Sequence, residues 1–127
     1  MAVTGRCLCG AISFRTEAEP RGASMCHCSQ CRRQSGGVWA SAHVDRAALE
    51  VDDPDAQLRW FASSPGVRRG FCARCGGFLF WENLTETTRS FALGALDGPT
   101  GLRLTKHIFI EGKADWYDLP DDGLPRS

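Results

Sequence analysis

The sequence has no excess of charge: 15 lysines and arginines balance 15 acidic residues. It therefore lacks the basic surplus that a general nucleic-acid or anionic-membrane binder needs, and no nucleic-acid partner is expected. Local basic pairs remain at Arg32–Arg33 and Arg68–Arg69. Each pair reads as a solvated face, and at least one is expected to be that. No apolar run approaches the roughly 20 residues of a membrane span, and the opening residues MAVTGRCLCG lack the apolar stretch of a secretory signal. No membrane association is expected, and for a complete chain the location is expected to be cytoplasmic. Internal repeats, low-complexity tracts and linkers are also missing. The 127 residues suit a single domain, 1–127, whose last stretch, DLPDDGLPRS from about 118, reads as a tail without periodicity.

Many short strands punctuated by turns are predicted, because 14 glycines and 6 prolines are scattered along the chain. AISFRTE (11–17) alternates with Ile12 and Phe14 on one face, and VWASAHV (38–44) holds a second strand. Asp45 is placed to cap a short helical turn through Leu49. QLRWFA (57–62) leads to a turn at Ser63–Gly66, and residues 67–72 and 78–82 flank CARCGG as two strands joined by a knuckle. RSFALGA (89–95) and KHIFI (106–110) complete the set. Helix is expected only over Ser29–Gln34 and after Asp45, so the fold class is all-β.

Seven cysteines are the sequence's distinctive possession. An odd number cannot pair fully within one chain, and in a reducing compartment thiols point to metal or catalysis rather than disulfides. They fall into CxC (Cys7, Cys9), CxCxxC (Cys26, Cys28, Cys31) and CxxC (Cys72, Cys75). Such spacings place soft thiolates on one zinc, and glycine follows where the backbone must turn, at Gly10 and at Gly76–Gly77. Four thiolates close a structural site and three leave one position free. The economical division is Cys7, Cys9, Cys72 and Cys75 in one site and Cys26, Cys28 and Cys31 in another, with two zinc ions per chain. Spacing leaves other divisions open, including a second closed site completed by His27, His43 or His107. His27 lies between two cysteines, where its side chain is expected to point away from a metal.

Three thiolates make zinc a weak Lewis acid, suited less to generating hydroxide than to holding a fourth sulfur as thiolate. That is the chemistry of a thiol adding to, or leaving, a small aldehyde. A tripeptide thiol such as glutathione brings carboxylates that arginine can grip. Arg32 and Arg33 follow the triplet and are candidates, with Gln34, Ser35 and Gly36–Gly37 shaping the same loop. Trp39 reads as a core aromatic that could also wall the pocket.

The stretches GRCLCGAISF, CHCSQCRRQSGG, RGFCARCGGFLF, KHIFIEGKADWYD and DGLPR together resemble the glutathione-dependent formaldehyde-activating enzyme family, which also includes centromere protein V. They run in the family's order from Gly5 to Arg126. The resemblance implies a β-tent fold of mainly antiparallel strands. It implies a structural zinc on Cys7, Cys9, Cys72 and Cys75 and a functional zinc on Cys26, Cys28 and Cys31. It further implies a carbon–sulfur lyase that joins formaldehyde to glutathione as S-hydroxymethylglutathione. Between Leu84 and Leu104 no diagnostic motif occurs, so neither electrophile nor thiol is fixed by the sequence. A non-catalytic module stabilised by zinc, or a sensor of thiols or zinc, is the competing expectation, because a fold alone does not fix function.

Overall fold

Side-chain alternation along short strands builds two sheets in the computed structural model, which describes residues 2–127. The smaller sheet has the order β1-β2-β5, from β1 (Val3–Arg6), β2 (Ser13–Thr16) and β5 (Glu50–Asp52). The larger contains β3 (Arg21–Cys26), β4 (Trp39–Asp45), β6 (Leu58–Ser64), β7 (Val67–Cys72), β8 (Phe78–Asn83), β9 (Thr88–Ala92) and β10 (Lys106–Ile108). Its order is β10-β3-β4-β9-β8-β7-β6, antiparallel except where β10 runs parallel to β3. One helix, α1 (Ser29–Ser35), follows β3. The all-β expectation holds.

The core lies between the two sheets. Phe14 of β2 sits edge-on to Phe80 with ring centroids 5.3 Å apart and lies 5.5 Å from Phe91, while Ile12, Val44 and Leu79 close the space around them. Burying such aromatic and aliphatic side chains supplies the main driving force for a chain of this size. Phe80 pairs with Phe91 and Phe91 with Ala42, so these positions share the core face. On the opposite face, Trp81 pairs with Ser90, Ser90 with His43, and Ser41 with Ser24. That second face carries the chemistry described below.

The same alternation corrects the reading of Arg68–Arg69 as a solvated pair. Neighbours on a strand point to opposite faces. Arg68 turns to the core side, donating from Nε to Oε1 of Glu82 at 2.6 Å and lying 4.0 Å above the Trp60 ring. Arg46 and Arg89 donate to the other Glu82 oxygen at 2.7 and 2.8 Å. Burial alone would raise the pKa of this fully covered carboxyl, but Arg89, Arg46 and Arg68 hold it down at about 2. Arg69 turns the other way.

Three strands escape the sequence reading. β1 and β5 are short, and β3 (RGASMC) contains no β-branched residue. Asp45 does precede a 3₁₀ turn, Arg46–Ala48, but its side chain makes no capping bond. The strand read at 89–95 stops at Ala92, where Leu93–Ala95 winds into another 3₁₀ turn. The stretch read as a tail is docked: His107 N–H donates to Pro125 O, and Ser127 N–H donates to His107 O.

Candidate metal centres and the cavity beside them

Two knuckles build the first cluster. Cys7 and Cys9 sit in the turn after β1, and Cys72 and Cys75 bracket the turn from β7 to β8. The amides of Gly10 and Gly76 donate back to the carbonyls of Cys7 and Cys72 at 3.1 and 2.7 Å. Both glycines take positive φ, +80° and +78°, where a side chain would be strained. All four sulfurs lie within 4.8 Å of one another and none is in a disulfide. Zinc–sulfur bonds of about 2.3 Å at tetrahedral angles hold sulfurs about 3.8 Å apart. Cys9 Sγ stands 3.7 Å from the sulfurs of both Cys7 and Cys72, so the donor set fits a tetrahedral ion. The Ile12 amide also donates to Cys7 Sγ at 3.4 Å, as suits a sulfur bearing negative charge.

The second cluster forms where β3 ends and α1 begins. Cys26 is the last residue of β3, Cys28 caps α1, and Cys31 lies in its first turn. The Cys31 amide donates to Cys28 Sγ at 3.3 Å, so sulfur fills the place usually taken by Ser or Asp. These three sulfurs also lie within 4.8 Å of one another. Among the described residues no histidine, acid or further cysteine joins them. Cys26 and Cys31 are buried, while Cys28 is half-buried.

The hydrogen bond between Cys26 and Cys31 comes first in setting their acidities. It pulls the Cys31 thiol down to about 6 with help from Arg69 and against burial; together with burial it pushes Cys26 up. Three sulfurs this close cannot all be anionic without a cation among them. The donor set thus fits one zinc with three protein ligands.

Arg69 backs this cluster. Only 4% exposed, it donates from Nη1 to Cys31 Sγ at 3.5 Å and to Gln34 Oε1 at 3.3 Å. Nη2 reaches Gln30 Oε1 at 3.2 Å and Nε reaches Ser63 Oγ at 3.3 Å. Among the described residues it has no carboxylate partner. A buried cation requires a counter-charge, and the only group it touches that can carry one is Cys31. Sequence reasoning missed it because β7 is remote from the triplet in the chain.

His27 points away from the cluster, as anticipated. Its Nε2 lies 3.0 Å from Nδ1 of His107, whose Nε2 lies 2.7 Å from Oδ2 of Asp122. Burial first, then His107 and Lys113, lowers the basicity of His27. The chain of three groups pins the C-terminal segment behind the triplet. His43 belongs to neither cluster.

A cavity of about 480 Å³ opens beside the triplet, on the second face of the large sheet. Cys26, Cys28 and Cys31 form one end, and Trp39 and Phe109 stand at its wall and rim. Trp39 stacks on Phe78 at 4.0 Å, so it has the expected core contact, and its buried indole N–H has no partner. Phe109 is half-exposed and held in left-handed backbone, a strain that clusters at functional sites. The four residues after the triplet lie elsewhere. Arg32 packs near His27, Lys113 and Tyr117, and Arg33 is exposed. Gln34 and Ser35 line a groove toward Gly77. None of the four lines the cavity; α1 carries them past it, and only Gln34 reaches back, through Arg69.

Comparison with known proteins bears on this arrangement. The model of the family "Glutathione-dependent formaldehyde-activating enzyme" matches residues 2–112. The chain belongs to that family. A Halomonas elongata protein named "Putative glutathione-dependent formaldehyde-activating enzyme" is 30% identical over 94% of this chain and 82% of its own length. An uncharacterized lyase of Schizosaccharomyces pombe is 27% identical over 91% of this chain and 83% of its own. A crystal structure of a Rhodobacter sphaeroides protein superposes with a TM-score of 0.62 at 22% identity, covering 98% of this chain and 99% of that one. At that identity the likeness speaks to fold alone. All seven cysteines fall inside the stretch matched by the formaldehyde-activating family. Among the described residues no helix is long and apolar enough to cross a membrane.

Proposed function

We propose that this chain is a zinc-dependent carbon–sulfur lyase that joins a thiol such as glutathione to a small aldehyde, formaldehyde being the family's namesake, and releases it in reverse. The observation that carries this reading is the unequal division of seven sulfurs: one set of four, and one set of three with no fourth protein donor, opening on a cavity.

Cys7, Cys9, Cys72 and Cys75 would hold a structural zinc that ties the turn after β1 to the β7–β8 knuckle. Cys26, Cys28 and Cys31 would hold the functional one. A zinc bound there supplies an open position at which a thiol loses its proton and is held for reaction with a carbonyl carbon. The chain's own residues set the conditions. Arg69 neutralises the surplus negative charge of three thiolates, and its donation to Cys31 moderates how strongly that sulfur gives electrons. The Cys31 amide does the same for Cys28. In the net reaction a carbon–sulfur bond forms, and the thiol's proton ends on the aldehyde oxygen as the hydroxyl of an S-hydroxymethyl adduct.

The test loads the protein with cobalt(II) in place of zinc, adds glutathione, and follows the thiolate-to-metal absorption together with formaldehyde consumption. A new absorption band and aldehyde uptake that depends on glutathione are expected. Two metals with unchanged spectra in saturating thiol would instead make the protein a zinc-stabilised binding module.

A further inference from the structure

The cavity has a second end. Strand register lays its floor out in rows. Cys26 pairs with Trp39 and with Ile108; two residues further along, Ser24 pairs with Ser41 and with Lys106; beyond them His43 pairs with Ser90. At about 3.3 Å per residue, the Lys106 row lies roughly 7 Å and the His43 row roughly 13 Å along the strands from the sulfur end. The floor thus runs from sulfur through hydroxyls to Lys106 and His43.

The charge of this lining is one-sided. It includes the cations Arg69 and Lys106 and the imidazole of His43, and it contains no aspartate or glutamate. Arg69 is committed to Cys31, Gln30, Gln34 and Ser63. Lys106 forms no ion pair among the described residues. The ring hydrogen bonds of the histidines join His27, His107 and Asp122, and none involves His43.

The imidazole is nonetheless held in place. A Cβ on Gly22 would stand 2.7 Å from Cε1 of His43 and 3.1 Å from its Nδ1, and Gly22 has φ +66°. Only glycine lets the β3 backbone press against that ring.

We propose that Lys106 and His43 form an anion subsite that selects, among thiols, those carrying a carboxylate about 7–13 Å from the sulfur. This rests on the reading of the triplet as a thiol-binding centre and adds the specificity of that centre. Lys106 supplies the charge and His43 a neutral ring donor. Burial first, then Arg21 and Lys106, lowers the basicity of His43, with Glu86 and Asp45 pulling more weakly the other way. A γ-glutamyl tripeptide thiol has the reach and the acid groups. A short neutral thiol has neither, and would bind only at the sulfur end. The half of the cavity floor between the ends offers the hydroxyls of Ser24, Ser41 and Ser90 to a peptide backbone.

The experiment uses the metal-loaded full chain and three probes: glutathione, 2-mercaptoethanol, and S-methylglutathione, which keeps the acids but cannot give a thiolate. Calorimetry measures affinity, and the cobalt(II) spectrum reports sulfur at the metal. In the unsubstituted protein glutathione is expected to bind at least about tenfold more tightly than 2-mercaptoethanol. Lys106→Gln should cut that ratio about fivefold and Lys106→Glu about 20-fold. S-methylglutathione should bind without a spectral change and lose affinity in Lys106→Glu.

Equal affinity for the two thiols, or equal losses for both on Lys106 substitution, would overturn the subsite and leave the thiol centre standing. An unchanged cobalt spectrum with every thiol, alongside Lys106-dependent binding of S-methylglutathione, would do the reverse. Failure of S-methylglutathione to bind at millimolar concentration would also overturn the subsite. Circular dichroism on each variant verifies that the fold is intact.

Discussion

Arg69 places Nη1 3.5 Å from Cys31 Sγ, and no carboxylate among the described residues competes for that guanidinium. A hydrogen bond of this kind behind a metal ligand typically alters metal affinity by about 10–100-fold when lost. Arg69→Gln should therefore weaken zinc retention at the triplet by about that factor. Arg69→Lys should recover part of it, because the charge survives while the forked geometry does not. Competition with a chromogenic chelator, which resolves a weak and a tight ion, reads the effect. Loss confined to the tight ion would disprove the assignment.

The two clusters should respond differently to removal of a sulfur. Cys28→Ser keeps an oxygen able to cap α1, so the fold should persist while the thiol response of the cobalt spectrum disappears. Cys72 is fully buried, and its sulfur belongs to the set that ties the turn after β1 to the β7–β8 knuckle. Cys72→Ser should lower Tm by more than about 10 °C and reduce the zinc count by one. A Cys72→Ser protein that is well folded and zinc-replete contradicts the structural role, and global unfolding of Cys28→Ser contradicts a separable functional one.

Glu82 links stability to acid. Its folded pKa lies at about 2, below the ordinary 4.5, because Arg89, Arg46 and Arg68 outweigh burial. A depressed value means the stabilisation is complete above pH 4.5 and drains away as pH falls through 4.5 toward 2. The shift corresponds to stabilisation on the order of 3 kcal/mol. Glu82→Gln should cost about that much at pH 7, where three arginines would lose their shared anion, and should flatten the acid limb of the stability profile. Urea melts between pH 7 and pH 3 measure both. Parallel profiles for the two proteins would show that the cluster does not govern acid sensitivity.

The C-terminal stretch should prove integral. Removing residues 119–127 deletes Asp122, the acceptor of His107, and three backbone hydrogen bonds: His107 N–H to Pro125 O, Ser127 N–H to His107 O, and Ile110 N–H to Ser127 O. At about 1 kcal/mol each, those backbone bonds imply a loss near 3 kcal/mol and a Tm lower by about 10 °C. A thermal melt unchanged by truncation would show the docking to be incidental.

What could be read beforehand, and what could not, follows from how each feature is encoded. The seven cysteines were legible because metal-ligand spacing is local: Cys72 and Cys75 announce a knuckle within four residues. α1 was legible from the same kind of local pattern, within one residue of its end. Arg69 and Lys106 were not, since nothing near them in the chain points to the triplet, and His43, weighed as a possible fourth ligand, lies instead along the cavity floor. The three share that cavity with the triplet only through the register of β3, β4, β7 and β10. The local habit of reading onward from the triplet selected Arg32 and Arg33 instead, and the direction of α1 carries both past the cavity. The docked tail was illegible for a related reason, because DLPDDGLPRS has no period and is held by scattered hydrogen bonds to His107 and Ile110.

The opposed arginines of β7 make that strand intolerant of changes in length. Arg68 serves the Glu82 cluster and Arg69 serves the cysteine triplet only because they are consecutive. Deleting or inserting one residue upstream of them would turn both over together, stranding a carboxylate on one side of the sheet and an unneutralised set of sulfurs on the other. Point substitutions can be absorbed one at a time, but an indel here would strike folding and chemistry in a single event.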